Sequence, residues 1–345
     1  MNLKKAVSVI AVVALLGAMV YAYTMYDKAF STNIKGIDKE TYIYIPSKVS
    51  YADVQRIIAP YVVDMDKFEA IAEQFKYSSN IISGKFLWKK GMNSYDMMQA
   101  LRKNIPVKVT FNNQETIERL VQRLATQIEP DSLSLLETFT DPTFMEENGF
   151  TNETVLASFM PNTYEFYWNV SPLKVRNTMH KEYIKFWNEA RLEKAKKLDM
   201  TPVEVAVLAA IVQKETAKND EKARVAGAYL NRLRLGMLLQ ADPTVVFAKK
   251  KYTNDFDQVI KRVYLKDLGI PSPYNTYQNV GLPPGLIAMP DISSLEAVLD
   301  PEQHDYIYFC ASVEKMGYHE FAATLAQHNI NRKKYTDWLT RNGIE

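Results

Sequence analysis

Cysteine is almost absent from this chain: Cys310 is the only one in 345 residues. No disulfide can form within the chain, so burial and hydrogen bonding must hold the fold. An oxidising compartment is not excluded, because a large domain needs no covalent staples. Cys310 sits in the apolar run from Tyr306 to Ala311, which reads as a buried strand and not as the setting of a nucleophile. Histidine is scarce too. His180, His304, His319 and His328 show no pairing at metal-ligand spacing, so neither a metal nor a cofactor is expected. Net charge is small. The 42 Lys and Arg nearly balance 40 Asp and Glu, which leaves a formal +2 and points away from nucleic acid. The cluster Lys249, Lys250 and Lys251 reads as a solvated helix end.

One long apolar run is present, and no second one follows it. Lys4 and Lys5 precede Ala6 to Val20, apolar except for Ser8, and the run extends through Tyr21, Tyr23 and Tyr26. About 20 such residues cross a bilayer. The tyrosines fit the aromatic belt of an interface, and the lysines favour a cytoplasmic N-terminus. The rival is a cleaved signal peptide ending near Val20 to Ala22. The length of the run and the bulky Tyr21 favour a retained anchor. The lack of a cysteine after the run argues against a lipoprotein.

The chain is long enough for two or three domains, and its 47% apolar content is enough to build a core. After a polar linker, strand–turn–helix units recur. Strands are expected at Thr41 to Pro46, Lys85 to Trp88 and Pro106 to Phe111. Helices are expected at Tyr51 to Ala59, from a Ser94 cap to Lys103, and at Glu115 to Gln127. Val107, Val109 and Phe111 alternate with Lys108 and Thr110, as in a half-buried strand. Such units pack as small α+β modules. Further on, Pro172 opens an amphipathic helix expected to reach about Leu198.

Thr201, Pro202 and Glu204 form a strong helix start with a capping box. Val205 to Val212 follows without a polar face, so this helix is expected to be buried all round. It ends in Gln213, Lys214, Glu215 and Thr216. The helix macrodipole and desolvation would both raise the pKa of a carboxyl at that place, as suits a general acid. On this stretch alone, a solvated helix end is the stronger reading. A second helix carries Val225, Ala226, Tyr229, Leu230 and Leu233 on its inner stripe, with Asn231 one position past it. Gly227 permits close packing and Gly236 is placed to end the helix. Asp242 reads as an N-cap with Pro243 behind it, and Asp242 and Thr244 fit capping or a site role about equally. The loop from Pro271 to Tyr277 offers Tyr274, Asn275, Thr276 and Tyr277, whose rings and polar groups suit sugars.

Taken together, Pro161-Asn-Thr-Tyr164, Ile211-Val-Gln-Lys-Glu-Thr216, Val225-Ala-Gly-Ala-Tyr-Leu-Asn-Arg-Leu-Arg-Leu-Gly-Met237, Leu239-Gln-Ala-Asp-Pro-Thr-Val245, Ser272-Pro-Tyr-Asn-Thr-Tyr277 and Gly281-Leu-Pro-Pro-Gly285 resemble the endolytic murein transglycosylases of the MltG/YceG-like family. Asp305-Tyr-Ile-Tyr-Phe309 and His328-Asn329 resemble its C-terminal strand and final helix. Tyr318-His-Glu-Phe-Ala-Ala-Thr324 lacks the serine that usually follows the phenylalanine, and no site role is expected there.

The resemblance implies an α+β fold: an N-terminal transmembrane helix, a small LysM-like α+β module and a mostly helical lysozyme-like catalytic domain with a few strands. The boundaries follow as a tail at 1–5, an anchor at 6–26, a linker at 27–40, the module at 41–130 and the catalytic domain at 131–345. It implies Glu215 as the catalytic residue. Tyr164, Asn231, Gln240, Asp242, Thr244, Tyr274, Asn275 and Tyr277 are the expected substrate-binding residues. It also implies non-hydrolytic cleavage of the β-1,4 bond between N-acetylmuramic acid and N-acetylglucosamine, leaving a 1,6-anhydro end. Such an enzyme needs one carboxylate, whereas hydrolysis usually takes two, for which Asp242 and Glu165 are the candidates. The expected place is the bacterial inner membrane, single-pass, with the catalytic domain outside. The expected partners are glycan strands, the bilayer and peptidoglycan synthases. An ordinary muramidase and a non-enzymatic glycan-binding scaffold are the rival readings.

Overall fold

A computed structural model of the chain describes residues 3–343. Helices predominate over strands, and the chain divides into two compact units. The first takes residues up to 109 with 127–130 and 165–170. The second takes 110–126, 131–164 and the chain from 171 onward.

In the first unit, α1 (Leu3–Phe30) is the one helix among the described residues long and apolar enough to cross a membrane. Its apolar stretch, Val7–Phe30, carries no buried residue in its most hydrophobic window. The first part of the polar linker expected at 27–40 is the last turn of α1, and it is held in place. Asp27 pairs with Lys67 at 2.7 Å, and Ala29 is buried. The Asn33 side chain donates to the Asp64 carbonyl and to Ser94, and it accepts from the Asp64 N–H. An amide satisfied on every side is hard to move, so the chain is fastened here.

β1 (Glu40–Ile45) pairs antiparallel with β2 (Gly84–Lys89), with Ile43 opposite Phe86. Period-two alternation turns Ile43 and Ile45 inward and leaves Tyr42 and Tyr44 exposed. α2 (Tyr51–Ile58) starts on a Ser50–Asp53 capping box. It is followed by α3 (Met65–Gln74), a helix with no counterpart in the sequence reading, and by α4 (Ser94–Ala100). Phe68, Phe86 and Trp88 are fully buried at the centre. The cap of α4 is Asn93 and not Ser94. Asn93 accepts from the Asp96 N–H at 2.8 Å, while Ser94 is turned into the core against Asn33.

β3 (Pro106–Thr110) carries the chain toward the second unit. That unit opens with α5 (Ile117–Ala125), α6 (Ser132–Phe139) and α7 (Pro142–Glu147). β4 (Thr163–Tyr167) leads briefly back to the first. The long helix expected from Pro172 is two helices, α8 (Pro172–Phe186) and α9 (Glu189–Lys197). Asn188 adopts an extended backbone and caps α9 through the Arg191 N–H, which ends the first helix and starts the second.

The centre of the second unit is α10 (Pro202–Glu215), with every residue from Val205 to Val212 buried. A helix apolar on all sides needs partners on all sides. They are α11 (Lys222–Arg234), α12 (Asp242–Thr253) and α13 (Ile292–Leu299). A hairpin of β5 (Tyr308–Ala311) and β6 (His319–Ala322) follows, and α14 (Leu325–Arg341) packs on it.

Candidate active site

The sequence of α10 determines where its last carboxylate lies. The Thr201–Glu204 capping box and Pro202 fix its start. Its end is fixed from α13: Gln213 Oε1 accepts from the Asp291 N–H at 2.5 Å and from Ser294 Oγ at 3.1 Å. Glu215 is thereby held, half-buried, at the final position of the helix.

The Tyr229 hydroxyl donates to Glu215 Oε2 at 2.9 Å. Tyr229 lies about two turns into α11 on its inner face and is itself almost wholly buried. Burial is the main cause that pushes the Glu215 pKa above the ordinary glutamate range. His319 and the Tyr229 hydrogen bond pull the other way, and the charges of Asp242 and Glu221 add to the rise. Position at the C-terminal end of α10 acts in the same sense as burial.

Two cavities meet at this carboxyl. One, of about 480 Å³, is lined by Glu215, Asp242, Glu115, Lys214, Lys250 and Arg262 among others. The other, of about 230 Å³, is lined by Glu215, Asp242, Gln240, Tyr277, Arg232 and His319 among others. Glu215 and Asp242 border both, so the acid stands at the waist of one cleft.

Of the residues singled out in the sequence, Glu215, Gln240, Asp242 and Tyr277 come together here. Asp242 is not an N-cap. Ala241 holds that place, Asp242 is the first residue of α12, and its Oδ1 accepts from the Tyr277 hydroxyl at 2.6 Å. Burial and the Asp242 carboxylate push the Tyr277 pKa upward.

Others are placed as fasteners. Thr244 is fully buried, donates to the Ala241 carbonyl and meets the Thr276 hydroxyl at 2.8 Å. Asn275 is buried and donates to the carbonyls of Leu268 and Ile270. These bonds stitch the loop before α12 to the loop of Tyr277, and so hold Tyr277 against Asp242. Asn231 donates to the carbonyls of His304 and Tyr306. Its neighbour Arg232 donates to those of Ile307 and Leu239, which brings β5 to the cleft. Tyr274 is buried against Phe247, away from Glu215. Tyr164 is buried, stacks on Phe111 and donates to the Met160 carbonyl. Glu165 is exposed on β4.

Several site groups were not singled out from the sequence. Tyr229 was read as core. Glu115 joins Lys214 at 2.8 Å and Lys250 at 2.7 Å. Of the three lysines read as a solvated helix end, Lys250 is buried on Glu115 and Lys249 pairs with Asp267, while Lys251 is exposed in the last turn of α12, over the Tyr274 ring. His319 belongs to the segment to which no role was given, yet it lines the cleft.

The sequence pattern that defines the YceG-like family matches residues 43–334, and the chain belongs to that family. It is 28% identical over 333 residues to the endolytic murein transglycosylase of Bacillus subtilis (strain 168), which covers 90% of this chain and 89% of the relative. It is 33% identical over 118 residues to the endolytic murein transglycosylase of Streptococcus pneumoniae serotype 2 (strain D39 / NCTC 7466), over 34% of this chain and 21% of the relative. The crystal structure of a YceG-like protein from Listeria monocytogenes superposes with a TM-score of 0.58 at 27% identity. The match spans 84% of this chain and 98% of that one.

Proposed function

We propose that this protein is an endolytic peptidoglycan lytic transglycosylase that cuts nascent glycan strands and thereby ends their elongation. The observation that carries this reading is one desolvated, protonatable carboxyl, Glu215, at the waist of an open cleft. Burial raises its pKa above the ordinary glutamate range, the direction a general acid requires. Glu215 donates that proton to the glycosidic oxygen, and the C1–O bond breaks with its electron pair going to that oxygen. The C6 hydroxyl of the muramyl sugar then bonds to C1, and its proton passes to the Glu215 carboxylate. The acid is restored and the strand ends in a 1,6-anhydro sugar. The names of the Bacillus and Streptococcus relatives support the substrate and the reaction.

In this reading Tyr277, Asp242 and Gln240 bind sugar, and Asn231, Thr244 and Asn275 hold the elements that carry them, while Tyr164 and Tyr274 border neither cavity. No metal or cofactor takes part. α1 anchors the chain in the inner membrane with its N-terminus in the cytoplasm. The catalytic domain then lies outside, where peptidoglycan synthases are its expected neighbours. The first unit serves as a LysM-like module and the second as a lysozyme-like domain; the chain first passes between them near residue 110, earlier than the boundary expected at 130.

A second reading, hydrolysis, is favoured by one observation: Asp242 borders the same cleft as Glu215 and supplies the second carboxylate that a muramidase uses. Mass spectrometry of digested glycan separates the two. An anhydro end is lighter by one water than a reducing end. Anhydro ends from the wild type and from Asp242→Asn support transglycosylation, and reducing ends that vanish in Asp242→Asn support hydrolysis.

A further inference from the structure

Glu221 is a buried carboxylate that the reaction above does not use; it is 3% exposed. It stands at the N-cap position of α11, where an acidic side chain ordinarily accepts from the first turn, yet it makes no capping bond. Its oxygens go elsewhere. Oε1 accepts from the His319 backbone N–H at 2.7 Å, and Oε2 meets His319 Nδ1 at 2.9 Å. Burying a carboxylate is costly unless it is paired, and here both bonds go to one residue 98 positions away, one to the His319 backbone and one to its ring.

That imidazole borders the smaller cavity together with Glu215. The Phe309 ring packs edge-on against both His319 and Tyr229, with centroids 5.3 Å and 5.5 Å away, so the tyrosine that holds Glu215 and the histidine share one wedge. With Nδ1 held by Glu221, the ring's orientation is set. Nε2 makes no hydrogen bond to protein among the described residues.

We propose that Glu221 and His319 are a positioning pair for Glu215: Glu221 fixes the ring, and His319 as imidazolium stabilises the carboxylate that Glu215 becomes between its two proton transfers. The pair exchanges no proton with substrate. It rests on the transglycosylase reading only in that the carboxylate intermediate belongs to that reaction. The carboxylate forms when Glu215 gives its proton to the leaving oxygen, and it is consumed when the C6 hydroxyl returns one. During that interval Tyr229 from α11 and His319 from β6 are the groups that favour the charged form. Asp242 from α12 and Glu221 oppose it, and Tyr277 and Arg232 line the same wall.

The test uses the full chain in detergent micelles with 13Cδ-labelled glutamate. Glu215 is assigned by the loss of its signal in Glu215→Gln, and its titration is followed in wild type and in His319→Gln. The proposal expects the midpoint to move to higher pH in His319→Gln. It also expects kcat on purified glycan to fall roughly tenfold or more while KM stays within about twofold. Glu221→Gln, which keeps the volume but frees the ring, is expected to lower kcat in the same sense. An unmoved Glu215 titration overturns the pair, and so does a loss confined to KM. The titration needs no turnover, so a wild type without anhydro products would defeat the reaction assigned to Glu215 and leave the pair to be judged on the titration alone.

Discussion

The Tyr229 hydroxyl donates to Glu215 Oε2 at 2.9 Å, from the buried face of one helix to the last residue of another. Tyr229 is buried, while Glu215 is half-buried and borders the cleft. The bond favours the charged form of Glu215 while burial favours the neutral form, and burial wins.

Tyr229→Phe removes only the hydroxyl. A hydrogen bond to a charged group contributes about 1.5–3 kcal/mol, so kcat is expected to fall about tenfold or more. The Glu215 pKa rises further without the donor, so the alkaline fall of the pH–rate profile moves to higher pH. A profile that keeps its wild-type limbs contradicts this.

Glu115 ties Lys214 and Lys250 to one wall of the cleft. Burial acts to raise its pKa, but the hydrogen bonds and charges of the two lysines outweigh it and hold it below the ordinary glutamate range. Its contribution to stability is therefore complete above the unfolded-state pKa and is lost as pH falls through the depressed folded value. Glu115→Gln leaves buried Lys250 without its counter-charge and is expected to cost about 3 kcal/mol at neutral pH. Denaturant titrations of wild type and variant should converge as the pH is lowered through the acid range.

Gly227→Ala reverses the usual helix rule. In an exposed helix the change stabilises by about 1 kcal/mol. Here an added Cβ would lie 2.5 Å from the Glu302 carbonyl oxygen and 2.8 Å from His304 Nε2. A loss of about 1–3 kcal/mol in thermal or denaturant unfolding is expected, and a gain would contradict the packing.

Asn231→Ala and Thr244→Val remove fasteners, so each is expected to lower stability by about 1–2 kcal/mol with KM little changed. Tyr277→Phe frees Asp242 inside the cleft, so its effect is expected on KM for glycan, with unfolding nearly as in the wild type. Steady-state kinetics beside thermal melts distinguishes the two classes.

What could be read in the sequence was local. The Thr201–Glu204 box, the buried face of α10 and Gly236, in the left-handed region at φ 65°, are properties of a few adjacent residues. Each is present in the structure. Asn188 was a local signal that could have been read: an N-cap residue followed by Glu189 interrupts the expected long helix. The rest depended on distant partners. Lys250 reads as solvated until Glu115, 135 residues earlier, is brought beside it. Asn231 and Thr244 look like site groups because their sequence gives no sign of the carbonyls and hydroxyls that occupy them. His319 carried no signal of its own, since its meaning comes from Glu221 across 98 residues.

The most direct measurement is the turnover of purified, uncrosslinked glycan by wild type and Glu215→Gln, with unfolding followed on the same samples. The account predicts anhydro ends from the wild type and at least a roughly 100-fold loss in the variant, whose unfolding stays close to that of the wild type. A folded variant that still releases those ends at a rate near the wild type's would contradict it.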